Sequence, residues 1–399
     1  MATVVEIVTT LLSVGGMFYM LLALWGARDF AHTRRRFAAA DANAPRFSPD
    51  VTILKPVKGV DPRMYQGLAS HCRQQYAGHF EILFGVSSAD DPAIEEISRL
   101  QQEFPQCAIR LIVCPQRLGT SGKVSNLIQM LPEAKYPYVL INDSDIRVSP
   151  NYLSRVMARF GAADGIEDPK VGMVTALFLG RTATEGPALT LWARMEALAI
   201  STDFAAGVLA ARRLEGGVHF GLGATLAMSR EALAAAGGLE PLVDSLADDN
   251  EMGLRIERAG YRIELCGEVV ETAVPAYRMR DFCEHQIRWA RTLRDARRWG
   301  YLGLGITYCI PWAVLNCVAS GFALWSISLL SLVVLARVAV ALSVGVGVLG
   351  DDQVLRDIWL LPLRDFIGLG FWVWSYASDT VVWRGERFHL HNGKISRMA

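Results

Sequence analysis

Charge is scarce in this chain and favours neither sign: 20% of its 399 residues are Asp, Glu, Lys or Arg, and 40 basic side chains balance 40 acidic ones. That balance names no polyanionic partner, and no nucleic-acid partner is expected. Cysteine is sparse as well. The seven residues Cys72, Cys107, Cys114, Cys266, Cys283, Cys309 and Cys317 form no CxxC pair. A disulfide framework and a thiolate zinc site are therefore not expected, and a reducing compartment fits. The cysteines read as small buried apolar groups. Internal repeats and low-complexity tracts are also lacking. Apolar residues, by contrast, make up 52% of the chain and gather towards its two ends, while the middle has the composition of a soluble domain. This distribution predicts a membrane protein carrying a water-facing domain.

Val4 to Trp25 spans 22 residues with one charge, Glu6. At ~1.5 Å per residue it covers roughly 30 Å, the thickness of a bilayer's hydrocarbon. Arg28, Arg34, Arg35 and Arg36 follow the run and no basic residue precedes it. That asymmetry favours an uncleaved anchor over a signal peptide and puts the C-terminal side in the cytoplasm. Residues 1–27 are thus an anchor and 28–49 a basic linker, in which Ala38–Pro49, rich in alanine with Asn43, Pro45 and Pro49, joins the anchor to the sheet.

Between Tyr301 and Gly350 the only charge is Arg337, so 301–350 leaves room for two membrane helices. Residues 351–399 read as a membrane-associated segment and a cytoplasmic tail. Within them, Ile358–Val382 contains Arg364, Asp365 and Asp379 and suits an interfacial or re-entrant position. The tail carries Arg384, Arg387, Lys394 and Arg397. Residues 279–300 hold Arg288, Arg291, Arg294, Arg297 and Arg298 among Trp289, Leu293 and Trp299, a pattern that predicts a basic amphipathic helix in the headgroup layer. The expected location is the inner (cytoplasmic) membrane, with the soluble domain on its cytoplasmic side.

That domain covers 50–278. Val51–Lys55, Ile82–Val86, Ile109–Val113 and Tyr138–Ile141 read as short buried strands, with helices near 64–75, 92–104 and 122–131. The alternation predicts an α/β, Rossmann-like, mostly parallel sheet whose ligand crevice lies at the carboxyl ends of the strands.

Acidic groups fall where that crevice would be. Asp90-Asp91-Pro92 lies just past one strand and Asp143-Ser144-Asp145 directly after another, while Asp248-Asp249 opens a helical pattern. In extended backbone Asp143 and Asp145 point the same way. Two hard oxygen ligands suit a divalent cation, Mg²⁺ or Mn²⁺, with phosphate oxygens completing its shell. On a helix Asp248 and Asp249 diverge by about 100°, so Asp249 is expected to face the crevice and Asp248 to be an exposed carboxylate near a helix N-terminus. Lys123 sits in Gly119-Thr120-Ser121-Gly122-Lys123-Val124, which is not a P-loop: Arg117 replaces the first glycine and Val124 the required Ser/Thr. Such a turn can still meet a diphosphate through backbone N–H groups and an ammonium. The glycines of Gly216–Gly223 would let backbone approach a sugar, and His219 there is either a contact to donor or acceptor or a structural residue.

In order along the chain, Lys55–Pro62, Asp90–Ile94, Lys123–Leu127, Asp143–Val148, Gly237-Gly238-Leu239, Asp248-Asp249 and Ile287-Arg288-Trp289 resemble the motifs of the ceramide glucosyltransferase family, with Trp383-Arg384-Gly385 similar near the end. The resemblance extends over residues 50–300 and includes bacterial glycosyltransferases of hopanoid biosynthesis. It implies a GT-A fold, a UDP-sugar donor, a divalent cation and inversion at the anomeric carbon. Lys55, Asp91, Lys123, Asn126 and Asp143 would lie on the donor side and Asp143 with Asp145 would hold the metal. Asp249 would be the catalytic base, and His285, Arg288 and Trp289 would close over the acceptor. The family pattern has Gln or Arg three residues before the arginine, where this chain has His285, with Gln286 out of register. His285 either substitutes as a hydrogen-bond donor or has another role.

The expected partners are therefore a UDP-sugar, a membrane lipid acceptor and the bilayer. A processive polysaccharide synthase would need more spans to enclose a polymer. A non-catalytic scaffold has no use for three intact carboxylates, and a nucleotide-driven transporter would need a P-loop.

Overall fold

The computed structural model describes residues 2–43, 47–61, 63–161, 170–383 and 386–397. Pro45 of the expected linker, Pro62 of the first motif and Arg384 and Gly385 of the last lie outside them.

Eight strands build the central sheet: β1 Val51–Pro56, β2 Phe80–Val86, β3 Ala108–Val113, β4 Tyr138–Ile141, β5 Ile146–Arg147, β6 Val171–Arg181, β7 Leu226–Ser229 and β8 Arg262–Ala273. Their spatial order is β3-β2-β1-β4-β7-β6-β8-β5. The first four are mutually parallel. β7 then runs antiparallel to both β4 and β6, which returns β6 and its parallel neighbour β8 to the direction of β4. The carboxyl ends of β1, β4, β6 and β8 therefore open on one side of the sheet. All of β1 and all but the last residue of β6 are buried, as expected for strands covered on both faces. This is the α/β, GT-A-like fold expected from the sequence, with apolar helices towards both ends of the chain.

Among the described residues two helices are long and apolar enough to cross a membrane, Thr3–Ala39 and Leu324–Val348, or three spans if Arg298–Thr307 and Cys309–Ala319, bent by 53°, count as one. Glycines set the close crossings of the first helix. A Cβ on Gly26 would meet the Leu209 carbonyl oxygen at 2.4 Å, and one on Gly16 the Cys309 Sγ at 2.4 Å. Backbones approach this closely only through such small residues.

The structure adds to the sequence reading in three places. The first helix runs unbroken from Ala2 to Asn43, so most of the expected 28–49 linker is helical. Its run of alanines has the highest helix propensity, and its charges have protein partners: Arg34 Nη1 donates to the Val348 carbonyl at 2.6 Å, and Asp29 pairs with Arg212 at 2.5 Å. Next, the tail is folded. Thr380–Trp383 (β9), Glu386–His391 (β10) and Lys394–Arg397 (β11) form an antiparallel sheet whose Val381, Phe388, Leu390 and Ile395 cover Leu246.

Finally, the arginine-rich helix Met279–Ala296 finds protein partners for several of its charges. Arg291 donates to the Thr380 carbonyl, and Arg294 bonds the Ser375 carbonyl and Asp379. Just beyond it, Arg297 pairs with Glu215 at 3.0 Å and Arg298 with Asn392 at 2.9 Å. A composition rule cannot separate this use of arginine from one on lipid headgroups, because a carbonyl or carboxylate on a neighbouring element attracts the guanidinium as a phosphate would.

Candidate active site

Strand β4 ends at Ile141, and the turn after it delivers Asn142, Asp143 and Asp145 to the open side of the sheet. From across the crevice comes the helix Asp248–Arg258, with Asp248, Asp249 and Glu251 in its first turn and Arg255 and Arg258 in its last, a distribution that suits the helix dipole. The Gly221–Gly223 turn connects them. A Cβ built on Gly223 would lie 3.2 Å from Asp249 Oδ2 and 3.7 Å from Asp143 Oδ2. Both carboxylates thus border one point, and that point must stay without a side chain.

Lys123 completes the cluster. It is in the first turn of the helix Gly122–Met130, whose N-terminus is capped by Ser121 Oγ accepting from Val124 N. Its ammonium lies 2.9 Å from Asp143 Oδ1 and 3.2 Å from Asp248 Oδ2. Asp248 therefore faces the crevice, contrary to the expectation of an exposed carboxylate. Azimuth diverges by about 100° between neighbours in mid-helix, but at an N-terminus both side chains lean back over the end, and here that end is the crevice.

The electrostatics of the carboxylates follow from this crowding. Burial, then the charge of Asp248, pushes Asp249 up from 3.8 to about 6, against the opposing pull of Lys123. Its Oδ2 accepts from Gly223 N at 2.8 Å and its Oδ1 from Asn250 N at 2.8 Å, which fixes the carboxylate plane. Burial and then Asp143 likewise raise Asp145 to about 6, and Thr272 Oγ1 donates to Asp145 Oδ2 at 2.5 Å.

A carboxylate raised by its neighbour's negative charge marks a ready place for a cation. Among the described residues no group of three or more His, Cys, Asp or Glu gathers to hold a metal. The donor set of Asp143 and Asp145 consequently fits a hard divalent ion only if ligand oxygens fill the remaining positions.

Other candidates are placed differently. Lys55 is fully buried beneath the site, its Nζ 3.1 Å from the Asp143 carbonyl oxygen and 3.4 Å from His71 Nε2. It supports the Asp143 turn from below instead of reaching into the crevice. Burial lowers it to about 7 even though Asp145 and Asp143 oppose the shift. Asn126 is also buried, between Ser87 Oγ at 3.0 Å and the Gly85 carbonyl at 3.3 Å. Asp91 accepts from Gly59 N at 2.9 and 3.2 Å and from Ala93 N at 3.0 Å, joining the Gly59 turn, at φ +69°, to the following helix. His219 pairs with Glu257 and the Glu215 carbonyl, the structural one of its two readings.

On the arginine-rich helix, His285 stacks on Tyr277 with centroids 5.5 Å apart and lies 5.6 Å from the Trp289 ring. Beneath them is a residue that the sequence did not single out, Glu196. Its Oε1 is 3.2 Å from His285 Nδ1, and its Oε2 accepts from Gln286 Nε2 at 2.5 Å. Both residues at the departure from the family pattern are thereby held by one buried carboxylate. Burial alone would raise Glu196, yet His285 and Arg364 outweigh it and leave the group below its ordinary value. No motif marks Glu196. A lone acid in the apolar pattern Leu191–Ala199 is the one available signal.

The family model described as Glycosyl transferase family 21 matches residues 8–396. Ceramide glucosyltransferase 3 of Caenorhabditis elegans is 24% identical over 298 residues, which are 73% of this chain and 60% of that protein. Ceramide glucosyltransferase 1 of the same organism is 25% identical over 364 residues, 86% and 72% of the two chains. Among solved structures, a mannosyltransferase of Pyrobaculum calidifontis in complex with GDP-Man and Mn²⁺ gives a TM-score of 0.49 at 18% identity, covering 94% of this chain and 98% of that one.

Proposed function

The chain belongs to glycosyl transferase family 21, and from that membership we propose that it transfers a single hexose or N-acetylhexosamine from a UDP-sugar to a hydroxyl of a membrane lipid, with inversion at the anomeric carbon. Ceramide, named by the curated relatives, and a hopanoid polyol are the acceptor candidates. The observation that carries the reading is the convergence of Asp143, Asp248 and Asp249 around Lys123 at the end of β4.

Inverting transfer is a direct displacement in which the acceptor oxygen attacks the anomeric carbon and the nucleoside diphosphate leaves from the opposite face. A lipid hydroxyl is a weak nucleophile, so a positioned base must accept its proton in the transition state. Asp249 suits that work, since a value near 6 makes it a stronger base than an ordinary carboxylate while it stays ionised at neutral pH. Lys123, at a helix N-terminus, is placed to stabilise the departing diphosphate. Asp143 and Asp145 would hold a divalent cation together with diphosphate oxygens, and when bound that ion neutralises charge on the leaving group. Trp289, beside Phe204 at 5.6 Å, and Arg288 would close over the donor and acceptor. The apolar helices would hold the crevice at the cytoplasmic face of the membrane, where a lipid can present its headgroup without leaving the bilayer.

Incubating the purified protein with each UDP-sugar and a total lipid extract, followed by mass spectrometry of the organic phase, tests this reading. It predicts one lipid species heavier by one sugar. A growing water-soluble polymer would point to processive synthesis instead, and no product with any donor would sink the proposal.

A further inference from the structure

Below the carboxylates lies a set of buried polar side chains that the proposed chemistry does not use. Asn142, Tyr152, Thr175 and Thr225 are all fully buried, where apolar residues would avoid the cost of desolvating polar atoms. Their hydrogen bonds converge on one loop. Asn142 Nδ2 donates to the Ala224 carbonyl at 2.6 Å and to Tyr152 Oη at 3.0 Å. Tyr152 Oη is 2.9 Å from Thr225 Oγ1. Thr175 Oγ1 donates to the Thr225 carbonyl at 2.8 Å and accepts from Leu222 N at 2.9 Å. The loop from Leu222 to Thr225 is therefore tied at both ends, and in its middle Gly223 N holds Asp249 Oδ2 at 2.8 Å.

Asn142 also directly precedes Asp143, and its own N–H bonds the Leu54 carbonyl of β1 at 3.3 Å. One side chain thus joins the turn bearing Asp143 to the loop that grips Asp249. The loop cannot give way on its far side. A Cβ on Gly221 would meet the Asp249 carbonyl oxygen at 2.7 Å, and one on Gly253 the Gly221 nitrogen at 2.5 Å.

We propose that Asn142, backed by Tyr152, is a positioning residue that sets the distance between the donor-side carboxylate Asp143 and the base Asp249. This rests on the reading of Asp249 as the base. Neither side chain touches substrate. Each acts by holding two reacting groups in register, where a displacement of about 1 Å can cost on the order of 10²-fold in rate.

The test pairs Asn142→Ala with Tyr152→Phe, the second of which keeps the ring and removes only the hydroxyl. Three quantities are measured on the full-length protein in detergent: kcat and donor KM for transfer to lipid, UDP affinity by calorimetry, and amide exchange over residues 221–225. The expected result is a fall in kcat of about 10²-fold for Asn142→Ala and about 10-fold for Tyr152→Phe, with UDP affinity and donor KM within a factor of three. Exchange should rise selectively in the 221–225 loop. Should Asn142→Ala fail to fold, Tyr152→Phe carries the same comparison. Unchanged kcat and unchanged loop exchange in a folded variant would overturn the assignment while leaving the transferase reading intact. A wild-type protein that transfers no sugar would overturn the transferase reading, and loop exchange would still decide whether Asn142 and Tyr152 fix the loop.

Discussion

At the scale of single residues, Asp249 is the group whose protonation governs the rate of the proposed reaction. Asp249→Asn should lower transfer by on the order of 10²–10⁴-fold while UDP still binds by calorimetry. The same substitution should leave the thermal midpoint unchanged or higher, because a carboxyl raised to about 6 by burial and Asp248 disfavours the folded state once ionised. A folded-state value above the unfolded one means that the native protein binds the proton more tightly, so ionisation at neutral pH costs stability. A midpoint several degrees lower would show Asp249 to be structural.

The pH profile has a definite sign. With Asp249 as the proposed base the active form is the carboxylate, so kcat/KM should be level above pH 6 and fall as pH drops through about 6, measured at saturating divalent cation. An ordinary carboxylate would hold its rate down to about pH 4.

Strand, turn and spacing mark Asp143, Asp145 and Asp249 together in the sequence, and of these Asp143 and Asp249 border the same glycine, Gly223. Asp248 was misplaced by a helical-wheel argument that weakens at a helix end. Asn142 and Tyr152 carry no mark at all, since their role is set by contacts with residues more than 70 positions away for Asn142 and Ala224, and for Tyr152 and Thr225.

At the scale of elements, the helix Met279–Ala296 depends on Glu196. Removing that carboxylate leaves His285 without its 3.2 Å partner and Gln286 without its acceptor. Glu196→Ala should reduce kcat/KM for the lipid acceptor by about 10-fold, the lower range for a misaligned group, with UDP affinity unchanged. Glu196→Gln, which can still accept from Gln286, should recover part of the loss. Equal losses in both variants and in UDP binding would mean that the helix merely unfolds.

The strands β1 to β4 and the helices between them were legible from alternating apolar runs. The sheet of β9 to β11 was not. Its strands are four to six residues long and contribute Val381, Phe388, Leu390 and Ile395, with Trp383 partly buried against them, to a small apolar cluster, too few for a periodic signal. Yet it backs the site: Ile395 N donates to the Asp244 carbonyl at 2.8 Å, and Asp244 Oδ1 accepts from Thr120 N at 2.8 Å, close to Lys123.

Across the whole molecule, ion pairs centred on Arg337 and Arg364 join the apolar helices to one another and to the turn that carries the half-buried Asp203. Arg337, the one charge between residues 301 and 350, bonds Asp365 at 3.0 Å and also reaches Asp203, while Arg364 bonds Asp203 at 3.0 Å. Asp203 lies in the π-helical turn Ile200–Phe204, next to the Phe204 ring that meets Trp289. The sequence exposed the unusual charges but not their partners, which come from three separate stretches. Breaking such a pair strands a buried charge, typically at about 3–5 kcal/mol. Arg337→Met should therefore lower the thermal midpoint in detergent markedly, and adding Asp365→Asn should restore part of the loss. A double variant less stable than the single one would show that the two side chains do not act as a pair.

The most direct test of the account is the anomeric configuration of the product. With an α-linked UDP-sugar and the lipid acceptor, NMR of the purified glycolipid should show a single β-linked sugar, absent when Asp249→Asn replaces the wild type. An α-linked product, or one that persists at full yield without the Asp249 carboxylate, would contradict direct displacement assisted by that base.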